Sequence, residues 1–218
     1  MGESYVRAQN ARLNRFAKPF HSAVPAEQRG VINEGAFLIF REAMRRSQHP
    51  WSLPAPAVDM LLGQAVNYVE SLRQSIRVAP GAVSHAGRHD AIAIAARLHT
   101  FFGDRAERMI IKPRFPGCGW VNEAEGDVLS RYTLYEVKAG ERLFRLADIR
   151  QVLCYCALDF SSKTYGIKEV SVINPRMGTF IREDLDSLCR KISGTGSANV
   201  LSEIIGYISE PLSHYQTV

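Results

Sequence analysis

The chain has 218 residues, 46% of them hydrophobic and 22% charged, with a net charge of +5 at pH 7. This is a globular composition, large enough to bury a core as one domain with elaborations, and its positive balance favours a polyanionic partner without demanding one. It excludes two classes: no apolar run approaches the ~20 residues of a membrane span, and four cysteines are too few and too scattered for a disulfide scaffold. With no signal-peptide apolar region, a cytoplasmic location is expected.

Taken in chain order, residues 5–20 and 30–47 are expected to be helical, the second through Phe37, Leu38, Phe40 and Met44. Pro50-Trp51-Ser52-Leu53-Pro54-Ala55-Pro56 breaks the chain before a helix over 58–75, and Pro80-Gly81 forms a loop. Ser84 or a neighbour caps a helix over 85–102, with Ala91, Ile94, Ala95 and Leu98 at helical spacing. Met109-Ile110-Ile111 opens a first strand that also carries Lys112 and Arg114, and Pro116-Gly117-Cys118-Gly119 turns it into a strand ending at Leu129. A hairpin, a helix from Arg145 to Leu158 and a strand over 170–173 that completes the sheet follow, and helices over 182–192 and 198–209 close the chain. The expected fold is α/β: a mixed central β-sheet flanked by helices, α-β-β-β-α-β in order. A helical N-terminal extension (1–80) precedes a second region (81–218) packed with it as one unit.

The chemistry concentrates in the hairpin. Val128-Leu129 and Leu134-Tyr135-Glu136-Val137 are β-prone runs separated by four residues, so they should pair antiparallel. With Arg131 and Tyr132 as the loop, paired residue numbers sum to 263, which sets Asp127 opposite Glu136 with Cβ atoms roughly 5 Å apart. Alternation adds Lys138 to that face and turns Val128, Tyr135 and Val137 toward an apolar core side. Opposed carboxylates destabilise a sheet, and such a pair usually holds a hard cation through oxygen. Glu125 joins the acidic face if the strand runs straight, and otherwise is a solvated strand-start carboxylate. On the following helix, Asp148, Gln151 and Tyr155 share one side at i, i+3 and i+7.

Glu-x-Lys alone is a weak signal. In combination, Asp127, then Glu136-x-Lys138, then a helix carrying Gln151-x-x-x-Tyr155 resembles the PD-(D/E)xK (restriction-endonuclease-like) phosphodiesterase superfamily, in particular its RecB and lambda-exonuclease branch, over roughly residues 107 to 175. The resemblance implies a nuclease in which Asp127, Glu136 and the backbone carbonyl of Val137 ligate Mg2+ or Mn2+, and Lys138 acts on the attacking water. It implies roles for Gln151 and Tyr155 beside them, and DNA as the preferred substrate. An inactive nuclease-like module that binds nucleic acid or a protein partner stays open as the alternative, as does a helical interaction protein in which the acid and lysine pattern is incidental.

Many members add an acid or a His from a preceding helix. Glu34, Glu70, His89, Asp90 and His99 lie on such helices, none in a signature that selects it; His89 and Asp90, on the nearest helix, are slightly preferred among them, although each reads first as a surface or helix-terminal residue. Lys112, Arg114, Arg142, Arg145 and Arg150 would form a basic rim for a phosphate backbone, with Arg7, Arg12, Arg15 and Lys18 as a basic N-terminal segment that is first a solvated face. Asn174-Pro175-Arg176 offers another arginine, or simply a strand-ending turn. Some relatives carry an iron–sulfur cluster, but Cys118, Cys154, Cys156 and Cys189 include no C-x-x-C pair, and none is expected. His85 and His89 have zinc-compatible spacing, but Gly87 between them favours a helix start.

Overall fold

In a computed structural model, residues 2–22, 24–72, 83–103 and 109–210 are described. The helices are α1 (Gly2–Asn10), α2 (Arg29–Arg46), α3 (Ala55–Leu72), α4 (His85–Phe102), α5 (Leu146–Ser162), α6 (Leu185–Ser193) and α7 (Ser197–Ser209). The strands are β1 (Asn14–Arg15), β2 (Met109–Ile111), β3 (Arg114–Phe115), β4 (Ala124–Glu125), β5 (Val128–Ser130), β6 (Thr133–Val137), β7 (Glu169–Asn174) and β8 (Thr179–Asp184). The expected end of the third helix at Ser75, the Pro80–Gly81 loop and the boundary after residue 80 lie outside the described residues.

Six strands form one mixed sheet in the order β1-β8-β7-β6-β5-β2, while β3 and β4 pair as a separate ribbon. Only β6 and β7 run parallel in the main sheet. Parallel neighbours need a crossover, and α5 supplies it. The expected α-β-β-β-α-β order is present as α4, β2, β5, β6, α5 and β7.

That crossover corrects the expectation of one apolar and one open charged face. Val128, Tyr135 and Ile173 pack into a core with the buried faces of α2, α3 and α4. Leu129, Leu134 and Val172 pack on the opposite side with Val152, Cys156 and Leu188 from α5 and α6. The strand is buried on both sides, continuously from Thr133 to Glu136, so alternation could not reveal the second cover.

Other boundaries shift for local reasons. The helix expected over 5–20 stops at Asn10, and Asn14–Arg15 pairs with the edge of β8. Phe16 donates its N–H to Gly178 O and its ring meets Phe101 at 4.9 Å between centroids. Gly178 has φ +64, and a Cβ there would lie 2.2 Å from Ala17 O, so this approach requires glycine. The β7 strand does not complete the sheet, because β8 and β1 extend it. The helix expected from 182 begins at Leu185, where the Asp184 carboxylate accepts the Ser187 N–H as N-cap. The first strand ends at Ile111; Lys112 has φ +61, and Arg114 belongs to the separate ribbon.

Candidate active site

The β5–β6 hairpin has the register read from the sequence: Val128 pairs with Tyr135, Leu129 with Leu134 and Ser130 with Thr133. Arg131, at the first loop position, has φ +56, which meets the demand of a two-residue loop for positive φ without glycine. One step further along this register sets Asp127 against Glu136. Asp127 lies in a bend before β5, and its Oδ2 accepts the Val137 N–H at 2.8 Å. The strand therefore does not run straight through Glu125, which belongs to β4.

Glu136 is buried, with 3% of its surface exposed. Its Oε1 accepts from Lys138 Nζ at 2.8 Å, and its Oε2 has no hydrogen-bond partner among the described residues. Lys138 Nζ also donates to Gln151 Oε1 at 2.6 Å, and Gln151 Nε2 donates to Tyr155 Oη at 2.7 Å. The Tyr155 ring stacks on Phe115 with 5.4 Å between centroids and 10° between planes. Four of the residues singled out in the sequence thus form one hydrogen-bonded row, and Asp127 stands at its end. Tyr155 both packs and hydrogen-bonds.

Burial and the neighbouring Asp127 push the Glu136 carboxyl up to about 7, against the opposing pull of Lys138. Burial also raises Asp127, although Lys112 pulls it down. Lys112, expected on the rim, reaches inward: its Nζ is 3.5 Å from Glu125 Oε1, 3.6 Å from Asp127 Oδ1 and 4.9 Å from the centre of the Phe37 ring. Its left-handed backbone turns the side chain off the strand, and non-glycine residues at positive φ cluster at functional sites.

A cavity of about 360 Å³ opens beside this group, lined by Glu34, Lys112, Asp127, Lys138 and Arg142 among others. The helix-borne acid facing the site is therefore Glu34 on α2, and the preference for His89 and Asp90 is corrected. His89 meets Trp51 at a tilt, His99 faces His49, and Asp90 pairs with Arg176. Glu70 lies on α3, away from the lining. The signal for Glu34 was available: Asn33 and Glu34 are the only polar side chains between Val31 and Phe40, a stretch otherwise buried throughout. Asp148 faces neither cavity nor hairpin but holds Arg142 by two 2.7 Å contacts and accepts the Arg145 N–H. Arg114 stays exposed beside Glu123 and Glu125, whereas Arg176 is wholly buried and is no open phosphate contact.

Among the described residues no three His, Cys, Asp or Glu side chains form a ready metal-binding group. The ligand set implied by the resemblance is smaller, two carboxylates and a main-chain carbonyl. It fits a hard cation on one observation: a buried carboxylate oxygen without a partner, next to a second carboxylate, in an all-oxygen set. The chain is a mixed α/β protein with a carboxylate–lysine–glutamine cluster at a sheet-to-helix crossover. No family model matches the chain, and comparisons with curated proteins and with solved structures find no match.

A pH effect follows for the chain in a chelator. Unfolded, Glu136 ionises near its ordinary 4.5; folded, it keeps its proton until about 7. Between these values the unfolded state has lost a proton that the folded state retains, so stability falls as pH rises, by at most ~1.4 kcal/mol per pH unit from this group. Melting temperatures should be higher at pH 5 than at pH 8, and Glu136→Gln should flatten the difference. Equal pH dependence in both proteins would remove Glu136 as its source.

Proposed function

We propose that this protein is a Mg2+- or Mn2+-dependent nuclease that hydrolyses phosphodiester bonds, with DNA as the preferred substrate. The observation that carries the reading is Glu136 Oε2, buried without a partner among the described residues on a carboxyl that neighbours Asp127 and whose Oε1 accepts from Lys138 of the Lys138–Gln151–Tyr155 row. Asp127, Glu136 and the Val137 carbonyl would hold the ion, which when bound polarises a phosphoryl oxygen and acidifies a water. Lys138, fixed by two hydrogen bonds, holds a positive charge where negative charge develops and steadies the attacking oxygen. Gln151 keeps the Lys138 ammonium oriented, and Tyr155 anchors Gln151. Among the described residues no helix is long and apolar enough to cross a membrane, and a nucleic-acid substrate goes with a cytoplasmic location.

The competing reading, an inactive nuclease-like module, is favoured by Lys112, whose ammonium already lies 3.6 Å from Asp127 Oδ1. A cleavage assay on linear, circular and single-stranded DNA and on RNA, with Mg2+ or with chelator, separates the two. Mg2+-dependent cleavage by the wild type, reduced ~100-fold or more in Asp127→Asn and Glu136→Gln, is expected. Wild type that cleaves nothing, and whose melting temperature Mg2+ does not raise, would establish the inactive module.

A further inference from the structure

A second cleft, of about 630 Å³, adjoins the site cavity and shares Arg142 as a wall. It lies between α1 and the start of α5, and Arg7, Arg145 and Arg150 line it together with Asn10. One acid, Glu3, is in the lining. Arg142 is neutralised by Asp148, but Arg7, Arg145 and Arg150 are exposed and make no ion pair among the described residues. The sequence separates Arg7 from the others by more than 130 positions. A reciprocal contact brings it across: Asn10 Nδ2 donates to Phe144 O at 2.9 Å, and Phe144 N donates to Asn10 Oδ1 at 3.2 Å.

Three arginines without ion pairs among the described residues line one cleft, an excess of positive charge that attracts anions, and arginine suits phosphate by its fork geometry. The cleft continues from the wall of the cavity that holds Asp127 and Lys138, which points to a polymer of phosphates more than to a single small anion. Resting on the nuclease reading, we propose that this cleft holds the sugar–phosphate backbone of the nucleic-acid strand on one side of the bond to be cut. Arg7, Arg145 and Arg150 contact successive phosphates, independently of base sequence.

The test measures binding without turnover: a fluorescent single-stranded 20-mer in chelator, across a salt series, against the wild type and two triple variants. With Arg7, Arg145 and Arg150 all changed to Gln, affinity should fall tenfold or more, and the slope of log affinity against log salt should shrink by ~0.7 per lost phosphate contact. The Lys triple variant, which keeps the charge, should keep most of the slope, so a folding defect would show as loss in both. Equal slopes in wild type and the Gln variant would overturn the proposal, as would displacement of the DNA by poly-glutamate as readily as by unlabelled DNA, which would assign the cleft to an acidic protein. A reduced slope in the Gln variant, in a wild type that cleaves no substrate, would support the cleft while refuting the catalytic reading.

Discussion

Lys138→Ala is expected to lower phosphodiester cleavage by ~10³-fold, the scale of losing one preorganised electrostatic group from an active site. The ammonium is held between Glu136 Oε1 at 2.8 Å and Gln151 Oε1 at 2.6 Å, so its position is set before substrate arrives. Folding should survive, because Glu136, already pushed up to about 7 by burial and by Asp127, can take a proton when the lysine is removed. Stabilisation by Mg2+ should also survive, since Lys138 offers no ligand oxygen and ligand stabilisation follows affinity. Single-turnover cleavage and melting with and without Mg2+ check both halves. Activity within tenfold of wild type would remove Lys138 from the reaction, and loss of the Mg2+ shift would mean that it serves to shape the carboxylates.

Arg176→Met is expected to cost ~3–5 kcal/mol, the range for breaking a buried ion pair from one side. Arg176 is fully buried; Nη1 lies 3.8 Å from Asp90 Oδ2, Nε donates to Ala139 O at 2.9 Å and Nη2 to Asn33 Oδ1 at 3.1 Å. The Phe20 ring covers it at 5.5 Å, and Ser22 Oγ donates to Asp90. Asn33 and Ala139 both line the site cavity, so this guanidinium ties α2 to the turn after Lys138. Without it Asp90 is a buried charge with one hydroxyl partner. Urea unfolding of the single variant and of Arg176→Met/Asp90→Asn tests the cause: the double variant should recover at least half of the loss. A single variant within ~1 kcal/mol of wild type, or a double variant no better than the single, would show that packing carries the effect.

What the sequence legibly encodes here is local. A loop of two residues leaves β5 and β6 one compact register, and that register with the alternation of side chains sets Asp127, Glu136 and Lys138 in order. The helical spacing of Gln151 and Tyr155 then lets both reach the same row, because the crossover helix packs back against the strand that leads into Lys138. The capped helix at Ser84 and the helix over 85–102 were legible for the same reason, since a cap and a 3.6-residue period involve only near neighbours.

The rest depended on contacts between segments far apart in the chain. The N-terminal run looks helical in isolation, yet residues after Asn10 follow the open edge of β8, because strand edges recruit backbone partners regardless of local propensity. Glu34 was chosen over His89 and Asp90 by the packing of α2 beside the hairpin, and Lys112 entered the acidic group through a backbone angle that no periodicity announces. Arg176 had the sequence context of a surface turn and became a wholly enclosed side chain, because only the folded chain brings Asp90, Asn33 and Ala139 around it. The sequence by itself determined the hairpin and its row of polar side chains through short-range periodicity and loop length. The tertiary structure decided what surrounds that row, because burial, ion pairing and the direction of a long side chain are set by which distant segment packs against it.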